Sequence, residues 1–449
     1  MTPIKDTHPS ASSAVESGAP GARVGNFRWV ICGLLFFATM INYMDRQIIG
    51  VLKPQLSHEL GWTDTGYANI VSAFQLAYAC GYLFGGRLMD RFGVRRGLSW
   101  AAFLWSVAAV AHGLVRTVLG FSIARLGLGL AEGGNFPAAI KTVTEWFPLK
   151  ERALATGVFN SASNIGAIVC PLTVPLLAAK FGWPAAFYIT GALGLGWIVA
   201  WALLYDSPET HPRLSVAERA YIEEGRVVTT EAAAPWLSLL RFRAAWAYMI
   251  AGLLAGPVWW FYLFWLPDFL QKRYHLTLQQ TGVRVGIVYT MAIVGSIGGG
   301  WLAAKLIGRG WSLNAARKTS LLVCAVCVTP VFFAASVENS WVTVALVGLA
   351  AAAHQGWSAN LYTFVSDTMP KRAVSSVVGL GGFVSGIASM GNAQVVGYVV
   401  TKTGSYALIF AWASTMYLLS LLAIQILVPK LVDARENERR VVTDDGTSV

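Results

Sequence analysis

Charge is what this 449-residue chain has least of: Asp, Glu, Lys and Arg together make up 13% of it, against about 25% in a soluble domain. That shortage excludes a water-soluble globule of this size. Cysteine is also scarce. The five present, Cys32, Cys80, Cys170, Cys324 and Cys327, all lie in apolar stretches, and an odd count without a secreted framework argues against disulfides. Cys324 and Cys327 form a C-x-x-C with no second pair or ligand cluster, which reads as buried thiols and not as a metal site. Metal-ligand clusters, phosphate-binding loops and nucleophile constellations are missing elsewhere, so neither an enzyme nor a cofactor is expected. Residues 1–27 are rich in Ser, Ala, Gly and Pro and lack an apolar signal region. They read as a short disordered cytoplasmic arm.

Apolar and small residues are abundant instead. Hydrophobic residues reach 55%, with 45 glycines and 18 tryptophans and a mean hydropathy of +0.54. This mixture suits helices packed against one another in lipid. A bilayer requires about 20 apolar residues per helix, and twelve such runs can be read, near 28–51, 66–88, 97–115, 118–146, 153–178, 184–205, 244–271, 281–308, 316–336, 341–368, 372–401 and 405–428. An even number puts both termini on one side. With the termini taken as cytoplasmic, that face collects 24 of the Lys and Arg residues and the other only seven, with Arg46, Arg125 and Lys141 inside spans. The positive-inside rule then orients the chain with both ends in the cytoplasm. The net charge of +11 is thereby a topology signal, and nucleic acid is not an expected partner.

The longest polar connection, residues 206–243, separates a six-span half at 28–205 from another at 244–428, with a cytoplasmic tail at 429–449. Internal repetition supports the same division. WFPLKERALATG after span 4 echoes TMPKRAVSSVVG after span 10, and Pro148 and Pro370 stand 222 residues apart. GGRLMDRFGVRRG after span 2 has a degraded counterpart after span 8, where Ala304 replaces Asp90. The expected fold is an all-α membrane protein of two pseudo-symmetric six-helix bundles.

The run Gly86-x-x-x-Asp90-Arg91-x-Gly93-x-Arg95-Arg96 resembles the loop 2–3 signature of the major facilitator superfamily. In that reading Asp90 sits at a neighbouring helix N-terminus and the arginines anchor at the anionic leaflet, latching one access state; topology alone also fits Arg95 and Arg96. NYMDRQ in span 1 and RLGLGLAEGGNFPAA in span 4 resemble the anion:cation symporter branch, whose members carry organic anions with protons or sodium. PVWWFYLFWLP in span 7 and HQGWSANLYTFVSD in span 10, followed by PKRA, resemble the hexuronate transporters within it. The resemblance covers most of residues 28–428. It implies alternating access in a bacterial inner membrane by a monomer, with an organic anion and protons as partners in preference to sodium, and lipid around it.

Charges inside spans are costly and mark functional positions. Asp45 and Arg125 fall at equal depth, about 9–10 Å below the outer surface at 1.5 Å per residue, so a pair between them is expected, either for coupling or as a plain structural bridge. Glu132 lies two turns further along span 4, near the midplane. Successive helical residues diverge by about 100°, so Asp45 and Arg46 cannot both face a ligand. Arg46 shares a stripe with Asn42 and Tyr43 that suits a sugar acid: the guanidinium holds the carboxylate, the amide and phenol the hydroxyls. Arg46 is thus the expected substrate residue and Asp45 and Glu132 the proton-coupling acids.

Lys141, on the other side of span 4 from Glu132, reads as snorkelling, and Asp268 as a solvated rim residue. Polar stripes on spans 2, 5, 10 and 11 add Tyr78, Asn164, Gln355 and Tyr362 as substrate-binding candidates; interhelical hydrogen bonding is the alternative for such residues. Trp260 and Tyr262 could stack on a pyranose or face lipid, and His354, offset from Glu132 by 222 residues, is either a second titrating site or structural. The expected function is proton-coupled uptake of glucuronate or galacturonate, with other organic anions (aldonate, aldarate or aromatic acid) or a transport-inactive sensor as alternatives.

Overall fold

The computed structural model describes residues 25–223, 236–369 and 371–431. The N-terminal arm to residue 24, the tail from 432, Pro370 of the second proline motif and the side chain of Asp90 lie outside what it describes. The first half contains α1 (Phe27–Leu60), α2 (Asp64–Phe92), α3 (Val94–Leu114), α4 (Val118–Glu132), α5 (Asn135–Trp146), α6 (Leu149–Phe181) and α7 (Pro184–Leu204). Short helices α8 (Val216–Glu223) and α9 (Trp236–Leu239) follow in the connection. The second half contains α10 (Arg243–Tyr274), α11 (Leu278–Gly308), α12 (Leu313–Val328) with a 3-10 extension at Thr329–Ala335, α13 (Ser340–Thr368), α14 (Lys371–Thr403) and α15 (Ala407–Leu427). These are the twelve membrane-spanning segments in two six-helix bundles. Among the described residues nine helices satisfy a length and hydropathy threshold for crossing a bilayer. The three that fall short are α2, α13 and the pair α4–α5, because these helices carry the polar residues of the interior and α4–α5 is broken.

Local sequence sets the helix ends. Gly61 closes α1 in the left-handed conformation (φ 67°), and Thr277 with Gln280 forms a capping box that opens α11. Gly93, at φ 75°, makes the turn between α2 and α3 that a side chain would strain. Span 4 is not one helix. It breaks at Gly133–Gly134, between α4 and α5, where these glycines lie against Gly81 and Gly85 of α2. A Cβ on Gly133 would meet the backbone of Gly81 and Tyr82 at 2.5 Å. Neither backbone can yield, so Gly133→Val should destabilise the bundle by about 3 kcal/mol, read as a lowered melting temperature. Gly127→Ala, whose Cβ has ordinary contact with Ala108 at 3.6 Å, should leave it unchanged.

The two halves meet along α1–α10, α2–α14 and α6–α11. Their seam is tight on the face away from the 206–243 connection. There Gly50 packs on the Leu263–Phe264 backbone and Gly282 on the Pro171 carbonyl, while Tyr67 donates a 2.8 Å hydrogen bond to the Phe264 carbonyl. Lys53 binds Asp268 across the seam at 2.5 Å and Asp64 within its own half at 2.5 Å. Lys272 binds Asp64 across the seam at 2.9 Å and Asp268 in its own half at 3.1 Å. The Tyr406 hydroxyl also donates to Asp268. Two sequence expectations change here: α1 runs nine residues past Val51 and buries Lys53 completely, and Asp268 is a buried seal residue in place of a solvated rim one.

Candidate functional site

Between the halves lies a cavity of about 210 Å³. Arg46, Tyr43 and Tyr78 line one wall, and Trp259, Trp260, His354, Ser358 and Tyr362 the other. Tyr82, Tyr248 and Gly381 continue it toward the ends of α2, α10 and α14 that adjoin the connection. With the far face sealed, the cavity is directed toward the connection face. Tyr362 is half exposed because its surface looks into this space.

Among the described residues, Arg46 is the one formally charged side chain in the lining. Its Nε donates to Glu132 Oε2 at 2.6 Å and its Nη2 to Asn42 Oδ1 at 2.5 Å. Asn42 stands one helical turn before it, which places both on one stripe. The guanidinium lies 4.2 Å from the Tyr78 ring, 4.7 Å from Tyr43, 5.8 Å from Phe74 and 6.0 Å from Trp260. Four rings around a cation attract it and exclude water from it. A planar anion entering the cavity would meet a preoriented fork whose present partners are one carboxylate and one amide oxygen.

The expected Asp45–Arg125 pair does not form. Arg125 donates instead to the Arg46 carbonyl at 3.3 Å, and its Nε and Nη2 have no hydrogen-bond partner among the described residues. Asp45 is 2% exposed; it forms no ion pair among the described residues, and the Thr190 hydroxyl is the donor beside it. The acid that pairs is Glu132, the last residue of α4, set beside the Gly133–Gly134 break and holding Arg46; its Oε1 is unpartnered. Helical depth placed Asp45 and Arg125 on one level, but a side chain as long as arginine reaches across levels, and the pairing followed reach.

Of the other candidates, Tyr43, Tyr78 and Tyr362 reach the cavity, whereas Asn164 and Gln355 do not line it. Gln355 donates to Asn164 at 3.0 Å across the seam, as the interhelical alternative had it. In the loop motif, Arg95 binds Asp206 at 3.0 Å and the Ala202 carbonyl at 3.0 Å, contacts that stay at the end of α7 and the start of the connection. Gly86 packs beside Pro137, and Arg91 and Arg96 are exposed. Lys141 donates to the Met89 carbonyl at 3.3 Å, near the end of α2. Tyr82 and Tyr248 were missed; Tyr82 extends the span 2 stripe one turn beyond Tyr78 and could have been found from it, whereas Tyr248 sits alone among apolar neighbours.

The family model described as Major Facilitator Superfamily matches residues 35–393. The chain belongs to this superfamily. Among curated relatives, the hexuronate transporter of Escherichia coli (strain K12) is 31% identical over 408 residues, covering 90% of this chain and 94% of that one; the resemblance to the anion:cation symporter branch therefore stands. A probable galactarate/D-glucarate transporter of Bacillus subtilis (strain 168) is 29% identical over 420 residues, covering 89% and 92%. Among solved structures, the inward-open xylose transporter of E. coli matches with a TM-score of 0.71 at 14% identity, covering 92% of this chain and 99% of that one. The superfamily member described here is an integral membrane transporter and not an enzyme.

Proposed function

We propose that this superfamily member takes up a hexuronate, glucuronate or galacturonate, together with protons. The observation that carries the reading is Arg46, the sole charged side chain of the cavity among the described residues, bound to Glu132 and enclosed by Tyr43, Tyr78 and Trp260. A substrate carboxylate offers Arg46 a second anion and competes with Glu132 for it. Displaced from its partner in a buried site, Glu132 is stabilised by taking a proton. Asp45, buried and without an ion-pair partner among the described residues, is the second proton-carrying candidate. Binding of the anion and loading of a proton are thereby linked through one guanidinium.

The halves 28–205 and 244–428 rock about this cavity in alternating access, joined by residues 206–243 in the cytoplasm. The cavity direction then makes this an inward-facing form, in a bacterial inner membrane with both termini cytoplasmic and a monomer as the working unit. Each net positive charge carried inward gains about 2.3 kcal/mol per 100 mV. A monoanion entering with two protons is thus driven by voltage, and one entering with a single proton is not. The test is uptake of labelled glucuronate, galacturonate and galactonate into proteoliposomes, with pH gradient and voltage imposed separately. Saturable uptake of a hexuronate under a pH gradient is expected, and absence of sugar-acid uptake under either force overturns the reading.

A further inference from the structure

Resting on the sugar-acid reading of this cavity, we propose that His354 and Ser358 form an uncharged hydrogen-bonding subsite on the wall facing Arg46, which takes a substrate hydroxyl and selects one-carboxylate sugar acids over two-carboxylate ones. His354 Nδ1 lies 2.5 Å from the Tyr417 hydroxyl. Tyr417 is fully buried on α15, and that nitrogen is its one hydrogen-bond partner among the described residues. A buried phenol needs an acceptor for its hydrogen. Tyr417 therefore donates, Nδ1 accepts, and the imidazole carries its own hydrogen on Nε2.

That Nε2–H stands 3.3 Å from Ser358 Oγ, one helical turn along α13, and both residues line the cavity. Trp259 fixes the ring plane, stacking on it at 4.9 Å and 10°. The next residue, Trp260, reaches Arg46, so α10 spans from the cation to the imidazole. A second carboxylate on a substrate would reach neutral donors alone. An imidazolium would answer it, but only by setting a second N–H against Tyr417 and leaving the phenolic hydrogen without an acceptor.

The experiment uses the full chain in proteoliposomes, with labelled glucuronate as the transported probe and glucarate as competitor. In the unaltered protein, glucarate should compete at least about tenfold more weakly than unlabelled glucuronate, as expected for a carboxylate without its cation. His354→Phe keeps a ring on Trp259 and removes both nitrogens. It should raise the KM for glucuronate about tenfold with kcat near the original, and His354→Gln, which returns an N–H near the Nε2 position, should restore most of the loss. Ser358→Ala gives the same direction at about threefold should the phenylalanine variant fail to fold. Equal competition by glucarate, an unmoved KM, or a joint fall of kcat that glutamine does not repair would overturn the subsite while leaving glucuronate uptake standing. Absence of sugar-acid uptake in the unaltered protein would overturn this inference together with the function it rests on.

Discussion

Arg46→Ala is expected to abolish saturable uptake, with substrate affinity falling at least about thirtyfold. The variant removes the cavity's cation and leaves Glu132, fully buried, without its partner; truncating one member of a buried hydrogen-bonded charge pair costs about 2–5 kcal/mol, and tenfold in affinity corresponds to about 1.4 kcal/mol. Arg46→Lys separates charge from shape. It restores the charge but not the planar fork, so it should recover only part of the affinity. The measurement is the concentration dependence of uptake beside equilibrium binding of the same sugar acid to purified protein. Binding by Arg46→Ala within threefold of the original would move the anion site elsewhere.

Glu132→Gln separates proton coupling from binding. The amide matches the carboxylate in size and its oxygen can still accept from Arg46 Nε, yet it cannot carry a proton through the cycle. Exchange of labelled for unlabelled substrate at equal pH should therefore persist, while accumulation against a gradient is lost. One pH unit is worth about 1.4 kcal/mol per coupled proton, or about tenfold accumulation, and the variant should stop at equal concentrations inside and out. Asp45→Asn is the companion measurement: whichever variant retains exchange but loses accumulation identifies the coupling acid. Should Glu132→Gln concentrate substrate as the original does, the competition for Arg46 is not the coupling step.

What could be read from the sequence divides along a physical line. Spans, halves and the stripe of Asn42, Tyr43 and Arg46 are properties of hydropathy and helical period, which the order of residues contains, and the fold with the Arg46 wall was legible from them. Pairing was not. Whether Glu132 or Asp45 meets an arginine depends on the rotation of α1 against α4 and on the break at Gly133–Gly134, which packs against glycines of a different helix. Lys53 and Asp268 look like loop charges in sequence because burial of both follows from a seam between halves more than 200 residues apart. His354 was visible as a polar residue in an apolar run, but its tautomer depends on Tyr417, 63 residues later.

The charged seal on the far face has a composition that bears on turnover. Each half contributes one lysine and one aspartate, Lys53 and Asp64 from the first, Asp268 and Lys272 from the second, and each lysine already touches the aspartate of its own half. When the halves part there, the bonds that break are Lys53–Asp268 and Lys272–Asp64, and the two pairs that remain are each electrically neutral. Opening leaves each lysine with the aspartate it already holds and strands no ion in a low-dielectric gap, which would otherwise cost several kcal/mol per charge. A closure built this way is specific in register and leaves no uncompensated charge when undone, which the proposed alternating access requires.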